Sequence, residues 1–377
     1  MMEDFRTNLV LHSTLRPNGD VELSFDQEDM PPPADDEIVV RMEAAPVNPT
    51  DLFLLGALAD PATAQRVERD GATKTVLRAA DWAANALSSR WDKPMAVGSE
   101  GAGRVVAAGP GKAAQALIGR TVALWGAGSY ARYCKVRTAD AMLLPDDVSA
   151  AEGASAFINP MTVMSMIETM RREGFTALVH TAAASSLGQM LGRLCRKDGI
   201  GLVNIVRSPQ QVELLRSAGA EHVCDSSSAS FDEDLQDAVR VTGARLGFDA
   251  TGGGTLASRI LAAMERVEME GKGNRQYGSP DKKKIYVYGK LDADPLHLLG
   301  NYGLSWGVGG WLVYNFIEEA GKDVAERLKA RIATEIKTTF ATRYGKTIDL
   351  EELCDPAMIA YVSRMTTGGK CLIDMSR

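Results

Sequence analysis

The chain has 377 residues, enough for two or three domains that each bury a hydrophobic core. Its 24% charged and 45% hydrophobic residues are typical of a soluble globular protein, and the net charge of −7 argues against nucleic acid or anionic membranes as partners. No apolar run approaches the length of a membrane span, and no export signal is recognisable. With five scattered cysteines, we expect a cytoplasmic protein with reduced thiols.

The N-terminal part, residues 1–148, does not alternate strands with helices. Its strand-like runs are short and punctuated by glycine, at residues 9–12, 38–45, 101–109 and 119–124. This pattern predicts an irregular, barrel-like β domain. Between residues 57 and 96 we predict a mostly helical insert, because apolar residues recur there at helical spacing: Val76, Leu77, Ala80, Ala83, Ala84 and Leu87.

The pattern changes after Ser149, which with Glu152 has the form of a capping box at the start of a helix. Over residues 149–310, helical patterns alternate with strand-like runs, the first in the stretch that begins at residue 176 and the others at 199–207, 221–225, 246–251 and 284–289. Such alternation predicts a doubly wound parallel sheet, an α/β fold whose ligands bind beyond the carboxyl ends of the strands. The lysine run 282–284 is predicted to lie in a solvated loop.

The first strand of this region leads into a turn of very small residues and then a helix. Ala182, Ser185 and Gly188 stand at three-residue intervals, where the usual dinucleotide fingerprint has glycines or alanine. We predict that the diphosphate of a dinucleotide lies against this turn and the start of the helix. The alternative is a tight turn that binds nothing. The predicted contact residues are Ala183, Ala184, Ser185, Ser186 and Leu187.

The second strand ends in Arg207 and Ser208, without the acidic residue that accepts hydrogen bonds from the ribose of NADH. A guanidinium at this place suits a 2′-phosphate, with which it forms a bidentate, charge-assisted pair. The sequence therefore favours NADPH as the cofactor. The alternative is that Arg207 is a solvated charge at the end of a strand.

The C-terminal part, residues 311–377, contains a long amphipathic helical pattern marked by Val324, Leu328 and Ile332. It ends in a strand-like run at residues 371–373.

Four motifs in chain order resemble one enzyme family. They are VNPTD at 47–51, GSEGAG at 98–103, NPMT at 159–162 and the Gly-Ala pair at 219–220. Through these motifs the chain resembles the medium-chain dehydrogenase/reductase superfamily. It is most similar to the zinc-independent branch of quinone oxidoreductases and enoyl-thioester reductases. The resemblance implies a GroES-like catalytic domain over 1–148, a Rossmann NADPH-binding domain over 149–310, and a segment 311–377 that returns to the catalytic domain. It also implies a homodimer.

By resemblance, further residues line the coenzyme. Asn48 and Thr162 would lie at the nicotinamide end, although both residue types also commonly cap helices. Beyond the fourth and fifth strands, the adenosine and nicotinamide ribose path would be lined by Thr251, Gly252, Tyr288 and Gly289. Each of these four could equally be part of an ordinary turn.

We predict that the protein binds no metal. A catalytic zinc needs about three protein ligands, but Asn48 and Ser99 stand where zinc-dependent relatives have a cysteine and a histidine. No four-cysteine cluster is present for a structural zinc, and Glu100 is interpreted as a structural polar residue.

The catalytic residues stay unassigned. Enoyl-thioester reductases place a tyrosine after the VNPxD turn, whereas residues 52–58 contain none. Tyr130 and Tyr133 are possible substitutes, and His180 is predicted to be packed inside its strand. We predict an NADPH-dependent reductase of quinones or α,β-unsaturated carbonyl compounds, which needs no dedicated acid. The alternatives are a 2-enoyl-thioester reductase and a non-catalytic NADPH-binding sensor or structural protein.

Overall fold

The computed structural model describes residues 5–69, 71–126, 128–272, 275–364 and 369–376. The chain divides into two compact units, one formed by residues 1–158 with 329–377 and the other by residues 159–328. No helix in the described ranges combines the length and the apolar character that spanning a membrane requires.

The elements up to the second unit are, in chain order, β1 (Thr7–Leu15), β2 (Asp20–Asp29), β3 (Glu37–Pro46), α1 (Pro49–Gly56), β4 (Ala59–Arg69), β5 (Ala72–Ala79), α2 (Asp81–Ala86), β6 (Met95–Ala96), β7 (Glu100–Ala108), α3 (Lys112–Gln115), β8 (Thr121–Trp125), β9 (Tyr133–Arg137), β10 (Ala141–Leu143), α4 (Ala150–Gly153) and α5 (Ile158–Arg172). The following elements are β11 (Ala177–His180), α6 (Ser186–Asp198), β12 (Gly201–Val206), α7 (Pro209–Ser217), β13 (His222–Asp225), α8 (Phe231–Thr242), β14 (Leu246–Asp249), α9 (Leu256–Met269), β15 (Lys283–Val287), β16 (Trp306–Gly310), α10 (Val313–Ala320), α11 (Lys322–Glu335), β17 (Tyr344–Asp349), α12 (Pro356–Val362) and β18 (Lys370–Asp374).

Two sheets form the first unit. One has the strand order β4-β5-β2-β1-β6, and the other has the order β10-β8-β7-β3-β18-β17 with β9 also paired to β3. The second sheet therefore includes strands from both ends of the chain: β18 is antiparallel to β3 and parallel to β17. Along β3, Val40 and Met42 are buried in the core, whereas Arg41 and Glu43 on the opposite face are only partly buried.

The prediction of a mostly helical insert at 57–96 is wrong. Strands β4 and β5 form an antiparallel hairpin, and β5 continues the sheet by pairing with β2. Among the described residues of this range, only α2 and a short 3₁₀ turn at Ser88–Arg90 are helical. The neighbouring Val76 and Leu77 are both buried, and β5 contains the β-branched residues Thr73, Thr75 and Val76. A short apolar run does not by itself distinguish helix from strand, and β-branched residues favour the strand.

The second unit contains a sheet with the order β13-β12-β11-β14-β15-β16, in which every pair is parallel. This confirms the predicted α/β fold with a parallel-sheet Rossmann domain. The order turns at β11 and β14, which are neighbours in the sheet although β12 and β13 lie between them in sequence. Ligands of such sheets bind at the carboxyl edge beside this point.

The expectation of a solvated loop at 282–284 is also wrong. Lys283 and Lys284 belong to β15, and the Lys283 side chain is fully buried. Its Nζ lies 2.6 Å from Oε2 of Glu265 and donates to Oγ of Ser279 at 2.7 Å. Burial of a lysine is tolerated when its charge is paired and hydrogen-bonded.

Candidate functional site

The conformation of the turn after β11 is set by a left-handed residue, by backbone hydrogen bonds and by a helix cap. Ala182 has φ 51°, and the hydroxyl of Ser185 accepts a hydrogen bond from the Gly188 N–H at 3.1 Å, which caps α6. The N–H groups of Ala183 and Ser185 are already bonded to carbonyls, those of Ile205 and Ala182. Helix geometry leaves the N–H groups of the first residues of α6, Ser186 and Leu187, without an intrahelical acceptor.

Gly188 allows the helix to begin this close to the turn. A Cβ at this position would lie 2.3 Å from the carbonyl oxygen of Ala183, a distance that real Cβ atoms do not show. Ala183 and Ala184 are themselves buried. The start of α6 is therefore a backbone surface with a positive helix terminus, suited to a phosphate group. The predicted contact residues 183–187 lie in this turn and in the first two positions of α6.

Asp249, at the end of β14, organises the neighbouring strand end. Its Oδ1 accepts from the hydroxyls of Thr181 at 2.7 Å and Thr251 at 2.6 Å, and its Oδ2 accepts from the Gly252 N–H at 3.2 Å. The Thr251 hydroxyl is thus engaged in the turn itself. Sequence reasoning missed Asp249, although an aspartate inside the strand-like run 246–251 was a visible signal.

Gly252 and Gly289 bring the ends of β14 and β15 together. Gly252 has φ 65°, and a Cβ there would lie 2.2 Å from the carbonyl oxygen of Gly289. A Cβ on Gly289 would lie 2.6 Å from the carbonyl oxygen of Ala250. Both glycines are therefore needed for the close approach of the two strand ends.

Tyr288 is paired with His180 across the sheet. The Tyr288 hydroxyl lies 2.8 Å from Nε2 of His180, and the rings stack with centroids 5.8 Å apart. His180 is fully buried, as predicted, and burial lowers its pKa to about 3. The imidazole is consequently neutral near pH 7.

Arg207 and Ser208 follow β12 directly. The Arg207 side chain is exposed, while its N–H donates to Oε1 of Gln211 at 3.1 Å. The Ser208 hydroxyl caps α7 by accepting from the Gln211 N–H at 3.4 Å. The guanidinium is accordingly the accessible group of this pair.

Thr162 lies inside α5, four residues after its start, and is buried. Because α5 begins at Ile158, Thr162 is not a helix cap. Thr162 belongs to the second unit, whereas Asn48 belongs to the first.

A buried polar cluster surrounds Asn48, which we call the Asn48 cluster: Asn48, Asp51, Ser99, Glu100 and Lys370. Asn48 is the N-cap residue of α1 and forms a capping box with Asp51. Its Nδ2 donates to Oε1 of Glu100 at 3.0 Å, and its Oδ1 accepts from Nζ of Lys370 at 2.6 Å. Asp51 accepts from the Asn48 N–H at 2.8 Å and from the Ser99 hydroxyl at 2.5 Å.

Burial governs the charges of the Asn48 cluster. It raises the pKa values of the Asp51 and Glu100 carboxyls and lowers the pKa of the Lys370 ammonium, and the attraction between Lys370 and the carboxyls opposes these shifts. Sequence reasoning missed Lys370. Its only signal was a lysine directly before the strand-like run 371–373.

Tyr130, one of the two possible proton donors, is buried and donates its hydroxyl hydrogen to the carbonyl oxygen of Pro46 at 2.9 Å. Burial raises its pKa well above the usual value. Both facts make the Tyr130 hydroxyl a poor proton donor to a ligand. Among the described residues, no group of three or more histidine, cysteine or acidic side chains is arranged to hold a metal ion.

Residues 34–146 match the family of alcohol dehydrogenase GroES-like domains. Among curated proteins, the chain is 27% identical over 185 residues to the synaptic vesicle membrane protein VAT-1 homolog of Rattus norvegicus. The matched region covers 48% of this chain and 45% of that protein. It is 27% identical over 209 residues to the mitochondrial enoyl-[acyl-carrier-protein] reductase of Xenopus tropicalis, covering 51% and 48%. The chain thus spans about half the length of the curated relatives it matches.

Solved structures share the fold over nearly the whole chain. A candidate NADPH:quinone reductase of Mesorhizobium loti has a TM-score of 0.72 at 21% identity, covering 99% of this chain and 100% of that one. The quinone oxidoreductase of Escherichia coli, solved with NADPH, has a TM-score of 0.68 at 18% identity, covering 98% and 99%. The GroES-like domain at 34–146 and the parallel Rossmann sheet together give the chain the fold of these solved structures.

Proposed function

We propose that this protein is an NADPH-dependent reductase of quinones or α,β-unsaturated carbonyl compounds. The observation that carries the proposal is the start of α6, where Gly188 lets the backbone pass closely and leaves a positive helix terminus open to a phosphate. The relatives named above, a quinone oxidoreductase solved with NADPH and an enoyl reductase, support this class of reaction.

The residues of the second unit fit the coenzyme. The diphosphate would be held by residues 183–187, and the 2′-phosphate by the exposed guanidinium of Arg207. The strand-end residues that would line the remainder are Ser208, Thr251, Gly252, Tyr288 and Gly289. For the nicotinamide end we propose Asn48 and Thr162.

When bound, NADPH supplies the hydride that reduces the acceptor. The protein's part is to bind, to orient the two reactants and to exclude water. A quinone or enone takes its proton from solvent after hydride transfer, which agrees with the engagement of the Tyr130 hydroxyl by Pro46.

We also propose that the reaction uses no zinc. Asn48 and Ser99 stand where zinc-dependent relatives carry ligands, and here they bond to Glu100, Lys370 and Asp51. Cytoplasmic localisation and a homodimeric state complete the proposal.

The experiment follows NADPH absorbance with the purified protein and three acceptors: a naphthoquinone, an enone and crotonyl-CoA. We expect oxidation with the quinone or the enone. Turnover of crotonyl-CoA alone would instead assign a 2-enoyl-thioester reductase, and coenzyme binding without turnover would assign a non-catalytic NADPH-binding protein. Absence of NADPH binding in calorimetry would overturn all three.

We propose that Arg207 gives the enzyme its preference for NADPH over NADH. In Arg207→Ala we expect the KM for NADPH to rise about 10- to 100-fold, as the loss of a hydrogen-bonded charge pair implies, with the KM for NADH almost unchanged. Arg216→Ala removes an exposed charge from α7 and serves as the control. An equal effect of Arg207→Ala on both coenzymes would remove Arg207 from this role.

A further inference from the structure

Both polar atoms of the Asn48 side chain are engaged inside the protein. Its Oδ1 accepts from Nζ of Lys370 at 2.6 Å, and its Nδ2 donates to Oε1 of Glu100 at 3.0 Å. Asn48 is only 2% exposed, and Glu100 only 1%. A ligand that reaches Asn48 therefore meets an amide whose orientation is already fixed by hydrogen bonds within the protein.

The partners determine that orientation. An ammonium group can only donate hydrogen bonds, and a carboxylate can only accept them. Turning the amide over would place its NH₂ group against Lys370 and its oxygen against Glu100, which replaces two attractive contacts with two repulsive ones. The oxygen of Asn48 is thus held towards Lys370, and the second hydrogen of Nδ2 is the group that remains for a ligand.

Glu100 and Lys370 are themselves fixed. The second carboxylate oxygen of Glu100 accepts from the N–H groups of Phe157 and Ile158 at 2.9 and 2.8 Å, at the start of α5. Lys370 is the first residue of β18, and its Nζ lies 3.8 Å from Oε1 of Glu100. The arrangement consequently joins α1, β7, α5 and β18 around one amide.

The formal charge of the Asn48 cluster restricts its ligand. Asp51 and Glu100 contribute two carboxyls and Lys370 a single ammonium. Because the carboxyls outnumber the ammonium, an anionic ligand group such as a phosphate is not favoured beside Asn48. An uncharged oxygen acceptor is favoured.

We propose that Lys370 and Glu100 are positioning residues that make Asn48 a hydrogen-bond donor to an uncharged oxygen, either of the nicotinamide half of the coenzyme or of the carbonyl substrate. This rests on the proposed function. The two sources share the same chemistry, a neutral acceptor oxygen. They are distinguished by whether the Kd for NADPH or the KM for the acceptor changes.

A double-mutant cycle tests the coupling. Lys370→Met keeps most of the side-chain length and removes the donor. We therefore expect either the Kd for NADPH or the KM for the acceptor to rise about 5- to 10-fold, which corresponds to the loss of one hydrogen bond. In an Asn48→Ala background the same change should alter that constant less than 2-fold, because no amide remains to be positioned. Equal losses in both backgrounds would overturn the proposal.

Two further variants keep the test decisive. Lys370→Gln retains a donor without the charge, and we expect it to recover most of the loss, even if Lys370→Met fails to fold. Lys346→Met, at an exposed lysine of β17, is the matched control and should leave binding unchanged. Failure of Lys370→Gln to recover function in a folded protein would contradict the role of the donor.

A readout without coenzyme separates this proposal from the proposed function. In protein labelled with ¹⁵N-asparagine, the Asn48 side-chain amide is assigned by its disappearance in Asn48→Ala. We expect its resonances to shift in Lys370→Gln and in Glu100→Gln before any ligand is added. Unchanged resonances would overturn the positioning contacts, whether or not the enzyme oxidises NADPH.

Discussion

Hydroxyl side chains of the candidate coenzyme site are already bonded to the turns that carry them. Ser185 and Ser208 cap helices, and Thr251 donates to Asp249. Their effect on a ligand is therefore indirect, because they shape the backbone that the ligand meets. These capping and turn positions can be predicted from residue type and spacing.

The contact between Lys370 and Asn48 could not be predicted in the same way. The two residues are 322 positions apart, and no periodicity or motif in the sequence connects them. The same holds for Tyr288 and His180, which are 108 positions apart. Pairings of this kind follow from strand order, which only the assembled sheet supplies.

His180 provides a prediction about pH at the residue scale. Burial lowers its folded pKa from 6.5 to about 3, so between these values the unfolded chain binds a proton that the folded protein does not. Proton binding by the unfolded chain lowers the free energy of unfolding. This loss of stability is absent above pH 6.5 and grows as the pH falls. From pH 7 to pH 5 we expect the free energy of unfolding to fall by about 2 kcal/mol on this account.

Urea unfolding at both pH values measures the effect, with His180→Gln as the non-titrating comparison. The difference between the wild type and the variant should shrink by that amount at pH 5, because shifts from other groups cancel. A difference that is independent of pH would contradict the expected state of His180.

At the scale of elements, helix α6 connects the sequence motif to the candidate coenzyme site. The small residues of its turn could be predicted because the spacing of Ala182, Ser185 and Gly188 is local. The hairpin of β4 and β5 could not, since its pairing with the distant strand β2 outweighs the helical spacing of its apolar residues. The lysine run was misread for a related reason: its partner Glu265 lies on another element, α9.

Two glycines of α6 offer a matched pair of substitutions. In Gly188→Ala the new Cβ meets the Ala183 carbonyl, so we expect a loss of about 1–3 kcal/mol in the free energy of unfolding and weaker NADPH binding. At Gly192 no atom lies within 4 Å of the added Cβ, and Ala is the better helix former. Gly192→Ala should gain up to about 1 kcal/mol.

Thermal or urea unfolding, together with calorimetry of NADPH, distinguishes the two substitutions. Equal stability changes in both variants would show that the close approach at Gly188 is not required.

At the scale of the molecule, strand β16 is one of the two edges of the parallel sheet, so one side of its backbone has no neighbouring strand within the described chain. Large apolar side chains in the segment that precedes β16 are exposed, among them Leu299 at 74% and Leu304 at 75%. In the proposed homodimer, we expect two such sheets to join at this edge. The parallel sheet was predictable from the alternation of strands and helices, but which residues would remain exposed beside its edge was not.

We expect the double variant Leu299→Glu with Leu304→Glu to be monomeric in sedimentation analysis, because four charges would face each other across such an interface. Val241→Glu changes an equally exposed side chain at the end of α8 and should not alter the mass. A wild-type protein that is monomeric at micromolar concentration would refute the dimer.

The place of β18 between β3 and β17 has a consequence for biosynthesis. Residues 159–328 form one continuous unit, which can fold while translation is still in progress. The sheet that contains β3 must wait until residues 370–374 have left the ribosome, and Asn48 receives its ammonium partner only then. A nascent chain stalled before that point would carry a finished Rossmann unit beside an unfinished β domain.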